Sequence, residues 1–132
     1  MKGELPDIIK EVGFDFDWEN GKVWQLNIPV TEIDIDELTW HFDIPFHWHK
    51  GGVYNLKSRE IIENPKKYQE EYERTVKADM KYPIDIMENK GRWLILDGLH
   101  RLMKAYIQGM RKVNVRIIPM EKIPEILRER KW

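Results

Sequence analysis

Residues 83–119 change hydrophobic period from that of a strand to that of a helix and back, which leaves few folds open. Pro83-Ile84-Asp85-Ile86-Met87 alternates as a strand, and Glu88-Asn89-Lys90-Gly91 carries turn chemistry. Trp93-Leu94-Ile95-Leu96 is a short continuous apolar run, the mark of a strand covered on both faces. Leu99, Leu102, Met103, Tyr106 and Ile107 then fall at helical spacing, and Gly109 stands where that helix ends. Lys112 opens a last strand with Val113, Val115 and Ile117 on one face, and Pro119 closes it. A hairpin, a crossover helix and a returning strand predict a small mixed α+β sheet with packed helices.

The corner between strand and helix reads Asp97-Gly98-Leu99-His100-Arg101. The first amides of a helix have no partner within it, and a small residue beside them lets a ligand approach the backbone. His100 and Arg101 add donors and positive charge at that spot. Such a corner can hold a phosphate; the same residues also make an ordinary strand–turn–helix with a solvated basic first turn.

The remaining chain predicts further elements. Residues 6–12 form a candidate helix closed by Gly13. Phe14, Phe16 and Trp18 alternate with Asp15 and Asp17, as do Trp24, Leu26 and Ile28 with Gln25 and Asn27, and Asn20-Gly21 lies between. That pattern predicts an added N-terminal β-hairpin. Residues 34–42 predict a short helix capped by an Asp and stopped by Pro45, and residues 58–63 one more helical turn. Residues 65–80 predict a helix with Tyr68, Tyr72, Thr75 or Val76, and Met80 on one stripe. Pro124 begins a last short helix over 125–131. The expected organisation is one domain, with a core at about 26–119, a helix–hairpin extension at 1–25 and a short helical segment at 120–132.

Three other groups carry chemistry. Arg74, Thr75 and Lys77 would reach the corner's phosphates if their helix packs beside the central one; otherwise the two cations are a solvated face. His47 and His49 lie two apart, share one side of an extended segment, and could chelate a metal with Asp43 and His41. Trp40, Phe42, Phe46 and Trp48 interleave with them, so a packed aromatic loop explains the same residues, and no metal site is assigned. Glu32, Asp34, Asp36, Glu37 and Asp43 supply acids, one of which could act as general base or Mg²⁺ ligand, although capping accounts for Asp34 and Asp36. Trp40 and Trp48 are the candidates for an aromatic substrate wall, with Trp93 beside them.

Composition narrows the function. A net charge of −1 over 132 residues offers no general attraction for DNA or anionic membranes. The absence of cysteine removes disulfides, thiolate nucleophiles and thiolate-bound metals together. No apolar run is long enough to span a membrane and the first residues carry no signal-peptide core, so a cytoplasmic protein is expected.

The run YPIDIMENKGRWLILDGLHRLMKAYIQGMRKVNVRIIP resembles the ParB/sulfiredoxin superfamily, whose Pro-Ile strand, Gly-x-His-Arg corner, Gly-terminated helix and closing strand follow in this order. LNIPVTEI looks like that superfamily's opening strand, and the helix through Arg74-Thr75-Val76-Lys77 like its phosphate-side helix, so the resemblance covers about 26–119. Sulfiredoxins place a Cys directly before the corner His; here Leu99 stands there, so sulfinic-acid reduction is not expected. Chromosome-partition ParB proteins carry Gly-Glu-Arg-Arg at the corner, followed by a helix-turn-helix domain. Gly98-Leu99-His100-Arg101 departs from the first and no such domain follows, so centromere binding is not expected.

The motif is closest to the Asp-Gly-x-His-Arg members that use nucleotides, free serine kinases among them. The resemblance then implies that Gly98, His100 and Arg101 hold the phosphates of ATP or ADP, with Mg²⁺ a candidate companion. Arg74, Thr75 and Lys77 would assist, and an unknown small molecule would be the acceptor. Asp97 would orient His100, contact Mg²⁺ or cap the helix. Glu32 is the leading candidate for the catalytic acid, with Glu37 and Asp43 beside it. The main reading implied is a small-molecule phosphotransferase; the alternative is a ParB-like DNA-binding, weak nuclease or regulatory interaction module without catalysis, of which the charge does not favour DNA binding.

Overall fold

The central hairpin forms because Lys90 and Gly91 both adopt left-handed φ, at 52° and 82°, giving the two-residue turn that matches strand twist. It joins β2 (Ile84–Asn89) to β3 (Arg92–Asp97). The computed structural model describes residues 18–47, 49–52 and 54–127. Within them, α1 (Asn20–Gln25) precedes β1 (Val30–Asp34), and α2 (Ser58–Glu63) and α3 (Gln69–Val76) precede the hairpin. Then α4 (Leu99–Ile107) crosses to β4 (Lys112–Ile117), and α5 (Ile123–Ile126) follows. Three 3₁₀ turns, Ile35–Glu37, Thr39–Asp43 and Met120–Lys122, complete the described chain.

The four strands form one open mixed sheet in the order β1-β4-β2-β3. β4 runs parallel to β2 and antiparallel to β1. The fold is therefore α+β, as the sequence predicts, and the β2–β3 half of its sheet is buried on both faces. Ile84, Ile86, Ile95, Val113 and Val115 pack with Leu102, Met103 and Ile61 on one side. Met87, Leu94 and Leu96 pack with Val23, Ile118 and Ile126 on the other. That double cover explains the continuous apolar run of β3, although β3 is an edge strand.

Its edge is closed by side chains. Trp40 Nε1 donates to Trp93 O at 3.2 Å, Ile95 N–H donates to His41 Nε2 at 3.0 Å, and Trp18 Nε1 donates to Leu96 O at 3.1 Å. An edge capped in this way offers no row of unpaired groups to another chain. At the opposite edge, β1 is largely exposed and bears Glu32 and Asp34, the latter 3.5 Å from Lys112 Nζ.

The N-terminal hairpin is corrected over its described part. Residues 20–25 form α1, so Asn20-Gly21 begins a helix instead of a hairpin turn. Trp18 bridges to Leu127, not to an arm at 24–28. Tertiary burial decides this: Val23 is fully buried against Ile126 and its neighbours, while Trp24 points outward. The rest of that predicted extension, at 1–17, lies outside the described residues.

Three helices also differ from expectation. Residues 35–43 wind as two 3₁₀ turns; Asp34 makes no capping bond and pairs with Lys112 instead. The helix expected over 65–80 is regular only over Gln69–Val76. Beyond it, Lys104 Nζ takes Ala78 O at 3.0 Å and Arg101 Nη1 takes Pro83 O at 2.6 Å, pinning residues 78–83 as a loop. The last helix starts two residues early, at Ile123, and its expected continuation past 127 lies outside the described residues. No helix among the described residues is long and apolar enough to cross a membrane.

Candidate functional site

The start of α4 is built by one backbone angle. β3 ends at Asp97 and Gly98 turns the chain at φ 118°, where an L side chain is strained. A Cβ on Gly98 would also lie 3.2 Å from the Ile84 side chain and 3.3 Å from Arg101 Nε. The first helical bond is Leu102 N–H to Gly98 O at 3.0 Å, so the amides of Leu99, His100 and Arg101 precede the ladder, and no side chain caps the helix. Gly98, Leu99, His100 and Arg101 line a cleft of about 1190 Å³. A cleft of that size admits a small organic ligand.

Charge on the cleft wall is mostly paired. Arg101 Nη2 donates to Asp97 Oδ2 at 3.0 Å, and the same oxygen accepts Trp24 Nε1 at 2.7 Å. Across the sheet, Val30, Arg116, Asp85 and Asp97 stand in one row of register. Arg116 Nε donates to the buried Asp85 at 2.6 Å, while its Nη1 and Nη2 hold Leu26 O and Val23 O at 2.8 and 2.9 Å. This guanidinium thus anchors the C-terminal end of α1 to the sheet. Asp79 is exposed on the rim, with Oδ1 accepting Lys81 N–H at 2.9 Å. The cleft's attraction for an anion therefore rests on the α4 amides rather than on a free cation.

The four histidines take different hydrogen-bond partners, although His47 and His100 lie edge to face. His41 is buried, donates from Nδ1 to Leu38 O at 2.7 Å, and accepts Ile95 N–H at Nε2. Burial pushes it down to about 4, against the Leu38 bond and with help from Arg92. His47 bonds Ser58 Oγ at 2.8 Å through Nε2 and is likewise lowered to about 4, by burial first and then by His100. His49 Nδ1 meets Glu71 Oε1 at 2.8 Å. Burial opposes ionisation of Glu71, yet the His49 bond and lesser contributions hold its carboxyl below the ordinary value. His100 lies with its ring centroid 5.4 Å from that of His47, and burial and the Arg74 guanidinium depress it. At neutral pH His100 is a neutral donor–acceptor on the cleft wall. His41, His47 and His49 do not converge on a metal, and no group of three or more His, Asp or Glu that could hold one exists among the described residues.

The expected helpers bond elsewhere, although the charge of Arg74 reaches His100. Thr75 is fully buried and its hydroxyl donates to Glu71 O at 3.3 Å within its own helix. Arg74 pairs with Glu70 at 3.3 Å, and Lys77 caps the exposed end of α3. Glu32 sits on the open edge of the sheet opposite Asn114, two positions beyond the Val30–Arg116 pair that borders the cleft. Glu37 accepts Trp93 Nε1 at 3.3 Å and Asp43 is clasped by Arg59. Trp40 stacks on His41 at 3.7 Å and under the Arg92 guanidinium at 3.6 Å, so it serves the β3 edge. Trp48 lies outside the described residues.

Asp79, Tyr82, Asp85, Arg116 and Trp24 take the places on the cleft wall. Only Asp85 and Arg116 leave a trace in the sequence, as an acid and a base inside apolar strands. No family model, curated protein or solved structure matches the chain.

Proposed function

We propose that the cleft at the start of α4 binds a phosphate-bearing small molecule of the nucleotide class, in a ParB/sulfiredoxin-like arrangement of strand, glycine corner, helix and returning strand. The observation that carries the reading is the uncapped first turn of α4, opened by Gly98 at positive φ onto a cleft of about 1190 Å³. Aligned amides and the helix dipole favour an anion there. Arg101 supports the turn by fixing Asp97 and Pro83 O, and neutral His100 contributes a ring N–H or lone pair.

Among the described residues no group of three or more His, Asp or Glu is placed to hold a metal. Asp97 Oδ2 already takes two donors, and Asp79 stands on the exposed rim. The proposal is one of binding at this cleft. With net charge −1 and three carboxylates on the cleft wall, nothing favours a nucleic-acid backbone as the ligand.

Thermal unfolding with ATP, ADP, AMP and inorganic phosphate tests the proposal. A ligand at a hundred times its dissociation constant stabilises by about 2.7 kcal/mol, or about 10 °C for a domain of this size. The amide resonances of Leu99, His100 and Arg101 should move on titration, and His100→Ala should weaken binding without loss of fold. Unchanged melting with every one of these ligands refutes it.

A further inference from the structure

Trp24 is the exposed tryptophan among those described, at 62%, and Tyr82 is exposed at 57%. Both line the cleft at the start of α4. A large aromatic side chain left in water forgoes a sizeable burial energy, and two beside one cleft form a surface that a ligand can cover. Trp24 is also held in place. Its Nε1 is bonded to Asp97 Oδ2 at 2.7 Å, Asp97 is fixed by Arg101, and the backbone on either side of Trp24 is gripped by Arg116 at Val23 O and Leu26 O. The ring is thus anchored by its edge while much of its surface stays open. Tyr82 follows Lys81, whose Nζ lies 5.2 Å from its ring centroid, and precedes Pro83, whose carbonyl Arg101 holds. One chain of contacts, Trp24–Asp97–Arg101–Pro83, therefore links the two aromatics to the first turn of α4.

We infer that Trp24 is a preorganised stacking platform for a planar heteroaromatic ring, with Tyr82 as its second aromatic contact, and that the cleft's ligand joins such a ring to an anionic group. The inference rests on the reading of the cleft as a phosphate site and adds to it what recognises the rest of the ligand. Asp97 and Leu99 are two residues apart, at most about 7 Å of chain. Platform and amide turn are therefore within reach of one small molecule. Asp97 serves this arrangement as a positioning residue, since its Oδ2 holds the indole and the guanidinium together.

Calorimetric titration with AMP and with ribose 5-phosphate, which keeps the phosphate and lacks the base, separates the two contributions. The parent protein should bind AMP about 5- to 150-fold more tightly, in line with base–aromatic stacking worth about 1–3 kcal/mol. Trp24→Ala and Tyr82→Ala should each weaken AMP by about tenfold and leave ribose 5-phosphate unchanged. In protein labelled with 5-fluorotryptophan, the resonance lost in Trp24→Phe should shift with AMP and stay still with ribose 5-phosphate. Both side chains are mostly solvated, so the variants are expected to fold, and their circular dichroism checks it. Equal affinity of the parent for the two ligands, or equal loss of both in the variants, overturns the platform while the phosphate site stands. Failure of the folded parent to bind either ligand overturns both.

Discussion

Acidification should destabilise this protein through His41, in a window that opens above the range where carboxylates titrate. The imidazole lies buried, donates from Nδ1 to Leu38 O, and accepts the edge amide of Ile95 at Nε2. A second proton would turn the acceptor nitrogen into a donor facing another donor. Unfolded, the group titrates at its ordinary 6.5; folded, burial holds it at about 4. Between these values the unfolded chain takes up the proton first, so stability falls as pH drops from 6.5 toward 4 and is level above 6.5. At about 1.4 kcal/mol per pH unit the interval corresponds to about 3 kcal/mol, a large part of the stability of a domain this size. His47, lowered to about 4 mainly by burial, acts in the same window, so the parent alone does not isolate the effect. The measurement is urea unfolding at pH 7.5, 6.5, 5.5 and 4.5 on the parent and on His41→Gln, whose amide oxygen can still accept from Ile95 but does not titrate. The variant should be the less stable at pH 7.5, and the gap should narrow by about 2–3 kcal/mol by pH 4.5. Parallel pH profiles for the two proteins would refute the reasoning.

Two ion pairs of similar length should differ sharply in worth. Arg116→Met leaves Asp85 buried and uncompensated and frees the carbonyls of Val23 and Leu26, and should cost about 3–5 kcal/mol in denaturant unfolding. Arg59→Ala breaks the exposed pair with Asp43 and should cost less than about 1 kcal/mol. Gly98→Ala forces a side chain onto a φ of 118° and against Ile84, so melting should show a loss of about 1–3 kcal/mol, with weaker ligand binding as the α4 turn shifts.

The sequence by itself determined the half of the molecule whose instructions are local. Period changes, the Lys90-Gly91 turn and glycines at both ends of the central helix mark β2, β3, α4 and β4 without reference to the rest of the chain, and the structure follows them closely. The corner at Gly98 was legible for the same reason, because a positive-φ residue between an apolar strand and an amphipathic helix is a local demand. What only the tertiary structure decided is what surrounds that corner. Asn20-Gly21 has hairpin chemistry, but burial of Val23 against Ile126 and the grip of Arg116 favour a helix there. Trp40 was an apt pocket wall by composition, yet the unpaired carbonyl of Trp93 on an edge strand claims its indole. Thr75, read as a phosphate ligand, faces Met103 in the core because α3 packs that side against α4. Trp24, Tyr82 and Asp79 became neighbours of the corner through contacts spanning the chain, from Trp24 to Asp97 and from Arg101 to Pro83. Hydrophobic period and turn chemistry act over a few residues, so they fix the frame of a site. The cleft wall is assembled by hydrogen bonds between distant segments, and those exist only once the sheet has closed.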